Sequence, residues 1–544
     1  MNFLASQTPR KLRGGYYTTP DVAVFLAGWV AEAKPRRILE PSCGDGAFLD
    51  ALAKVGCAKI ESITAIEIDP AEAAKAKARG IPSKVHSEDF LAWFLRRRTR
   101  QPEFDAVLGN PPFVRYQYLD AGTQKRSEAV FREFGLEFTR HTNAWVPFVV
   151  ASLAMLRPGG RLAMVVPSEL LHVLHARSLR RFLLQQCSRV LVIDPDDIWF
   201  DDTLQGVVLL LAEKRSGPVG RLADVAIRRV KDRTALATTA SEYFRGADFF
   251  PGSVLNGKWM LGLLTGAERA LFARLGAQTG VRRFAEVAAV DVGIVTGANR
   301  FFLVPDAVVD EYGLRRWAHP MFGRSEHVRG VVYDRAAHEE NRRLGLPTNF
   351  LWFGDLPLEK MPPSVRQYIR SGEAEDLPSR YKCRIRSPWY NVPSVSLAPV
   401  GMLKRSHHFP RLVLNRANAY TTDTAYRITP NGVRAADLVV GFVNSLTALS
   451  AELEGRHYGG GVLELVPSEI EKVLVPVGRY SPIALNTLDR SVRAGVSAAE
   501  LLARQDELVL NPLGIEPKYC ETLTAAWLRL RDRRWRGGRG TDQS

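Results

Sequence analysis

The sequence predicts a doubly wound α/β domain over residues 1–215, followed by a region built from shorter α+β elements. Three observations carry this. Unbroken apolar runs of strand length recur between helical segments, as strands buried on both faces of a parallel sheet require. Several of those runs stop at Gly, Pro or acidic residues instead of continuing. The composition then changes after Lys214-Arg215-Ser216-Gly217-Pro218.

Taking the elements in order, Thr19 is placed as an N-cap, Pro20 at the first helical position and Asp21 in the first turn of a helix with apolar residues at helical spacing. The Tyr-Tyr-Thr-Thr-Pro turn before it would form a lip over a bound ligand. Arg37-Ile38-Leu39 is a strand that runs into Glu40-Pro41-Ser42-Cys43-Gly44-Asp45-Gly46 and a second helix. Gly44 and Gly46 permit close approach of the backbone to a ligand, and the N–H groups opening the helix favour a carboxylate or phosphate. The spacing is neither the six-residue dinucleotide fingerprint nor a phosphate-binding P-loop.

The second strand, Ser62 to Ile68, ends in acids roughly twenty residues after the glycine turn. Glu67 is there placed to accept hydrogen bonds from the two hydroxyls of a ribose, while Asp69-Pro70 reads as the N-cap of a helix. A third strand, Ser83 to His86, leads to Asp89 and Phe90, which could take an adenine amino proton and cover its ring. The fourth, Phe104 to Gly109, must stop at Asn110-Pro111-Pro112-Phe113, because neither proline has an N–H for the ladder. An amide side chain, a free carbonyl on Pro111 and a flat ring at Phe113 suit an exocyclic amino group and the ring that bears it. Residues 115–142 read as a mobile loop over this site. A helix from Ala144, a Pro158-Gly159-Gly160 turn, and strands at Arg161–Pro167, Arg189–Ile193 and Gly206–Leu211 complete the sheet.

The formal net charge of +16 and a pI near 9.7 imply a polyanionic partner, nucleic acid first. The five cysteines, Cys43, Cys57, Cys187, Cys383 and Cys520, stand too far apart for a disulfide framework or a zinc knuckle, so no metal is expected and the compartment is expected to be reducing. The N-terminus lacks the apolar core of a signal peptide. The longest apolar stretches fall short of the ~20 residues that span a bilayer. A cytoplasmic protein without a membrane partner is expected.

From 216 to about 480, basic residues interleave with Tyr, Trp and His, as at Arg380 to Arg386 and Arg411 to Arg416, which suits phosphates and base edges. Residues 481–544 read as a helical extension whose Arg-rich tail, Arg529 to Arg539, is expected to fray.

The order Tyr-Thr-Thr-Pro, Glu40-Pro-Ser-Cys-Gly-Asp-Gly, Glu67-Ile-Asp-Pro, Asp89-Phe90 and Asn110-Pro-Pro-Phe113 resembles the gamma-class N6-adenine DNA methyltransferases of restriction-modification systems, the TaqI-like type. Gly293-Ile-Val-Thr-Gly-Ala-Asn299 and Tyr458-Gly-Gly-Gly461 look like parts of the recognition domains of such enzymes. The resemblance implies a Rossmann-like methyltransferase sheet over 1–215, a C-terminal α+β target-recognition domain over 216–480, and S-adenosylmethionine as methyl donor. Thr19 and the turn with Glu40, Pro41, Cys43, Gly44 and Gly46 would hold its methionine end, Glu67 its ribose, and Asp89 and Phe90 its adenine. Asn110, Pro111, Pro112 and Phe113 would hold a flipped target adenine, with Phe200 stacking on its other face. Double-stranded DNA is the implied substrate and a cognate restriction endonuclease a possible partner. N4-cytosine, RNA and protein-glutamine methylation use similar loops, and a non-catalytic DNA-binding module could keep the same fold; the large basic C-terminal region argues for a DNA duplex.

Overall fold

The computed structural model describes residues 18–56, 59–97, 102–197, 199, 206–218, 220–255, 257–458 and 460–535. Two compact units divide the chain, with the break between Thr265 and Gly266.

The first unit is built on a nine-stranded sheet. Its strands are β1 (Arg37–Glu40), β2 (Ser62–Glu67), β3 (Lys84–Ser87), β4 (Phe104–Gly109), β5 (Leu156–Pro167), β6 (Cys187–Pro195), β7 (Val207–Lys214), β8 (Asp224–Val230) and β9 (Phe250–Pro251), in the order β3-β2-β1-β4-β5-β7-β6-β8-β9. Strands β3 to β5 in that order are parallel, and the inner residues of β1, β2, β4 and β5 are mostly buried, as the apolar runs predict, while the edge strand β3 buries none fully. Strand β7 departs from the expected parallel sheet: it runs antiparallel to both β5 and β6. The link 196–206 is shorter than the dozen or so residues that a parallel crossover takes. The Pro158-Gly159-Gly160 segment lies within β5, where the register against β4 slips between Phe104↔Leu156 and Ala106↔Arg161.

Helix α1 (Pro20–Glu32) precedes β1, and α2 (Ala47–Val55), α3 (Pro70–Ala78), α4 (Phe90–Arg96), α5 (Ala121–Glu133), α6 (Trp145–Met155) and α7 (Arg177–Gln186) fall between the strands. Helix α1 buries Val22, Ala23, Phe25, Leu26, Ala27, Trp29 and Val30, too many for one face. A short helix at Ala240–Arg245 supplies the second cover: Phe244 lies 5.1 Å from Trp29 between ring centroids and Tyr243 lies 6.1 Å from Phe25. The expected boundary near residue 215 therefore falls between two strands of one sheet, since β8 pairs with β6 in parallel register from Arg189↔Asp224. Residues 115–142, expected as a loop, contain α5. Asp120 caps it by accepting from Thr123 N at 2.9 Å, and Val130 and Phe131 are buried.

The second unit is α+β. A five-stranded sheet joins Ala288–Val292, Ala425–Pro430, Val400–Leu403, Leu412–Asn415 and Val332–Tyr333 in that order. The segment Gly293 to Asn299 threads a tight crossing: a Cβ on Gly293 would collide with the Thr422 carbonyl, and Arg386 donates to Val295 O and Thr296 O at 2.7 Å each. Residues 482–534 supply three helices to this same unit, α8 (Pro482–Arg493), α9 (Ala498–Val509) and α10 (Pro517–Arg534). No single helix among the described residues is long and apolar enough to cross a membrane.

The tail expected to fray is ordered helix as far as Arg534. Arg529 pairs with Glu268 at 2.6 Å, and Arg534 is fully enclosed. Its Nε and Nη2 meet the two Glu452 oxygens at 2.8 and 3.1 Å, while its remaining donors reach the carbonyls of His407, His408 and Gly461. Every donor of the guanidinium fork is thus used, and Arg534 holds the Glu452 carboxyl down to about 2 against the opposing effect of its burial. Residues 536–544 lie outside the described residues.

Removing one partner of such a pair strands a buried charge. Arg534→Ala is expected to cost about 3–5 kcal/mol in urea unfolding of the second unit, with Arg534→Met/Glu452→Leu recovering most of it. Because the Glu452 value is depressed, the stabilisation should be complete above its ordinary value of 4.5 and drain as the pH falls toward about 2.

Candidate active site

Strands β1 and β4 are parallel neighbours in the register Ile38↔Ala106 and Leu39↔Val107, so they end side by side at the carboxyl edge of the sheet. Gly109 permits this, since a Cβ there would lie 3.3 Å from Pro41 Cδ. Ser42 Oγ donates to the Asn110 carbonyl at 3.0 Å, and Cys43 N donates to Ile66 O at 2.9 Å. The glycine turn, the acid-ended β2 and the Asn-Pro-Pro loop are thereby tied into one edge.

Within that edge, Glu40 is completely buried and neither of its carboxylate oxygens has a hydrogen-bond partner among the described residues. Burial, then the charges of Glu67 and Asp45, push its pKa well above the ordinary 4.5, with Arg79 opposing. Glu67 is pinned by two backbone donors, Gly44 N to Oε2 at 2.8 Å and Asp69 N to Oε1 at 2.9 Å; burial still raises its pKa. Asp69 caps α3 through Ala71 N at 2.9 Å, as read from the sequence. Burial pushes the Cys43 thiol up as well, so it is a neutral lining group.

The two glycines differ. Gly44, at φ +53°, has open space where a Cβ would stand. Gly46, at φ +96°, faces protein: a Cβ would meet Arg79 Cδ at 2.8 Å and Ala76 Cα at 3.2 Å. Arg79 fastens the turn to α3 through the Asp45 carbonyl and carboxylate, the latter at 2.8 Å, and through Asp50. The need for glycine at 46 is packing, and the surface left open belongs to Gly44.

Asp89 opens α4 by accepting from Ala92 N at 2.6 Å and pairs with Arg126 Nε of α5 at 3.1 Å. Phe90 is buried against Phe148, with ring centroids 5.2 Å apart, and against Trp93. Asn110 Nδ2 donates to Thr18 Oγ1 at 3.2 Å. Thr18 is itself buried, so it holds the amide where the neighbouring Thr19, at the N-cap of α1, makes no side-chain cap. Pro111 is buried, Pro112 half-buried, and Phe113 half-buried against the core. Phe200 lies outside the described residues. The preceding Trp199 is buried, and its carbonyl accepts from Arg233, which also reaches Asp21 at 3.2 Å.

Sequence reasoning missed Thr18, Arg79, Arg126 and Arg233. Only Thr18 carried a signal, standing beside the expected N-cap. The three arginines act over separations that no local pattern reports.

Two family models match the chain: the Eco57I restriction-modification methylase over residues 52–199, and the C-terminal domain of the type II methyltransferase M.Eco57I over 256–510. The chain belongs to the restriction-modification DNA methyltransferases. The type II methyltransferase M.AccI of Acinetobacter calcoaceticus is 21% identical to this methyltransferase over 85% of each chain. M.XamI of Xanthomonas campestris pv. amaranthicola is 23% identical over 87% of this chain and 86% of its own. The cryoEM structure of the DrdV–DNA complex shares the fold, with a TM-score of 0.50 and 11% identity, covering 91% of this chain and 58% of that one.

Since the Glu40 pKa is raised on folding, the ligand-free methyltransferase loses stability as the pH climbs above 4.5, where the unfolded chain takes on the carboxylate charge and the buried group resists it, and full stability returns below 4.5. Glu40→Gln removes that charge. The variant is expected to unfold at a higher temperature than wild type at neutral pH, by a few degrees (~2–4 °C per kcal/mol in a unit of this size), the gap closing below pH 4.5. Thermal unfolding across pH checks both halves.

Proposed function

We propose that this methyltransferase moves a methyl group from S-adenosylmethionine to N6 of an adenine turned out of duplex DNA. The observation that carries the reading is the unpartnered, fully buried Glu40 carboxylate beside the open face of Gly44, on the same sheet edge as Asn110-Pro111-Pro112-Phe113. A buried carboxylate without a donor calls for a cation, and the α-ammonium of S-adenosylmethionine is one.

On this reading Glu40 takes the ammonium, with Thr19, Pro41, Cys43, Gly44 and Gly46 shaping the methionine end. Glu67 oxygens already hold one backbone donor each and retain a second lone pair for a ribose hydroxyl. Asp89 spends Oδ1 on Ala92 and Arg126, leaving Oδ2 to accept the adenine amino group, with Phe90 under the ring. The bound donor supplies an electrophilic sulfonium methyl.

Asn110 and the Pro111 carbonyl serve the target base. The N6 lone pair is delocalised into the ring and attacks poorly; two acceptors on its hydrogens favour a pyramidal nitrogen, aligned in the fixed loop. The N6–C bond forms as the S–C bond breaks, and N6 releases its extra proton to solvent. Thr18 steadies the Asn110 amide through its nitrogen. Phe113 would stack the base, the resemblance assigning the second stacking face to Phe200; stacking of ~1–3 kcal/mol per base would largely offset the few kcal/mol of flipping. The second unit reads the sequence, and the marked sites would be spared by a cognate endonuclease.

Mass spectrometry of nucleosides from treated duplex tests the target: N6-methyladenine is expected, and N4-methylcytosine overturns the adenine assignment. Asn110→Ala should reduce transfer to background while leaving the S-adenosylmethionine dissociation constant within about threefold, roughly 0.6 kcal/mol. Parallel loss of binding and transfer would remove Asn110 from the base side of the site.

A further inference from the structure

The second unit carries an exposed, firmly anchored knuckle at residues 380–386. Tyr381 and Ile385 leave 64% and 63% of their surface in solvent, although both are large and apolar. They stand four residues apart, on and just past the short helix Tyr381–Arg384, and so share a face. Between and beside them stand Arg380, Lys382 and Arg384, all exposed and none in an ion pair among the described residues. Lys382 Nζ lies 5.1 Å from the Tyr381 ring centroid.

Beneath this surface the knuckle is fixed. Cys383 is fully buried in the core of the unit. Arg386 is bound to the carbonyls of Val295 and Thr296, and Gly297, at φ +82°, leaves room for Lys382 Cβ, which a side chain there would meet at 2.8 Å. The segment Gly293 to Asn299 is therefore the floor that holds the knuckle outward. A solvated loop has no need of such an anchor, and an apolar pair ringed by unpaired cations on a rigid base is preorganised for a partner.

We propose that this knuckle is a DNA-contacting element, in which Arg380, Lys382 and Arg384 meet backbone phosphates while Tyr381 and Ile385 press as an apolar wedge against the base pairs of a duplex. Three unpaired positive charges match a phosphate backbone, and apolar side chains flanked by cations are what proteins insert at a deformed base step. The proposal rests on the reading of DNA as substrate and names the residues through which the second unit would engage it.

The test uses the full-length chain and a duplex that it methylates, with binding read by fluorescence anisotropy at several salt concentrations. The Arg380→Ala/Lys382→Ala/Arg384→Ala variant should bind more weakly with a shallower salt slope, by about 0.9 for each phosphate no longer neutralised. Tyr381→Ala/Ile385→Ala should weaken binding about tenfold with the slope unchanged, since stacking-type interactions release no counterions, and Tyr381→Phe should bind like wild type. All three should keep the wild-type affinity for S-adenosylmethionine and the wild-type unfolding midpoint. Wild-type affinity and slope in the triple and double variants would overturn the knuckle while the enzyme still methylates DNA. Absence of methyl transfer to any duplex by the wild type would instead overturn the reading of function, and selective binding of single-stranded RNA by the knuckle would overturn the duplex assignment.

Discussion

The arrangement of the first unit depends on two parallel strands ending at the same level. Because β1 and β4 are adjacent and in register, the turn after Glu40 and the loop after Gly109 emerge together. The Ser42–Asn110 hydrogen bond and the missing side chain at Gly109 hold them at touching distance. A loop with two prolines cannot drift back into the ladder, and a turn fastened to α3 by Arg79 cannot swing away. Rigid positioning on strand ends is the structural condition for an in-line reaction between two ligands.

Glu40 and Glu452 are both completely buried, and they show opposite solutions to the same cost. Glu452 is met by a bidentate arginine, His457 lies 3.2 Å away, and its carboxyl is held down to about 2. Glu40 meets no donor among the described residues and lies near two further acids, so its pKa rises. The first fastens the last helix to the fold. The second is unfavourable for the ligand-free protein in isolation, and on the proposed reading it is the ammonium of the methyl donor that would offset that cost. The contrast shows that burial alone does not assign a role; the presence or absence of a counter-charge does.

Most of the sheet was legible because buried strands announce themselves as apolar runs and their ends as Gly, Pro and acids: β1, β2, β4 and β6 begin and end within a residue or two of expectation. The capping role of Asp69 was legible for the same local reason. Strand direction was not, since β7 is as apolar as a parallel strand and only the short link 196–206 speaks against one. Helix α5 was hidden by its polarity: it buries Ser127, Val130 and Phe131 and little else, too sparse a stripe to outweigh its charges. The ties made by Arg79, Arg126 and Arg233 join residues tens to hundreds of positions apart, and an arginine in a basic sequence looks the same whether it spans such a gap or faces water. For the same reason the Arg-rich end looked like a tail although Arg534 is among the most enclosed side chains.

The boundary after residue 215 shows how composition and packing can part. The sequence turns polar there because the following segment has short elements, yet those elements finish the first unit. Strand β8 extends the sheet beyond β6, the helix at Ala240–Arg245 covers the face of α1 that the sheet leaves bare, and Arg233 links Trp199 to the first turn of α1. Helix α1 is also the element that brings Thr18 to Asn110. Residues 224–245 therefore bear on the Asn-Pro-Pro loop through α1, by fixing the helix that fixes the threonine that holds the amide. A surface ion pair such as Arg233–Asp21 contributes little to stability by itself; its effect is geometric, carried by the apolar packing of Phe244 on Trp29.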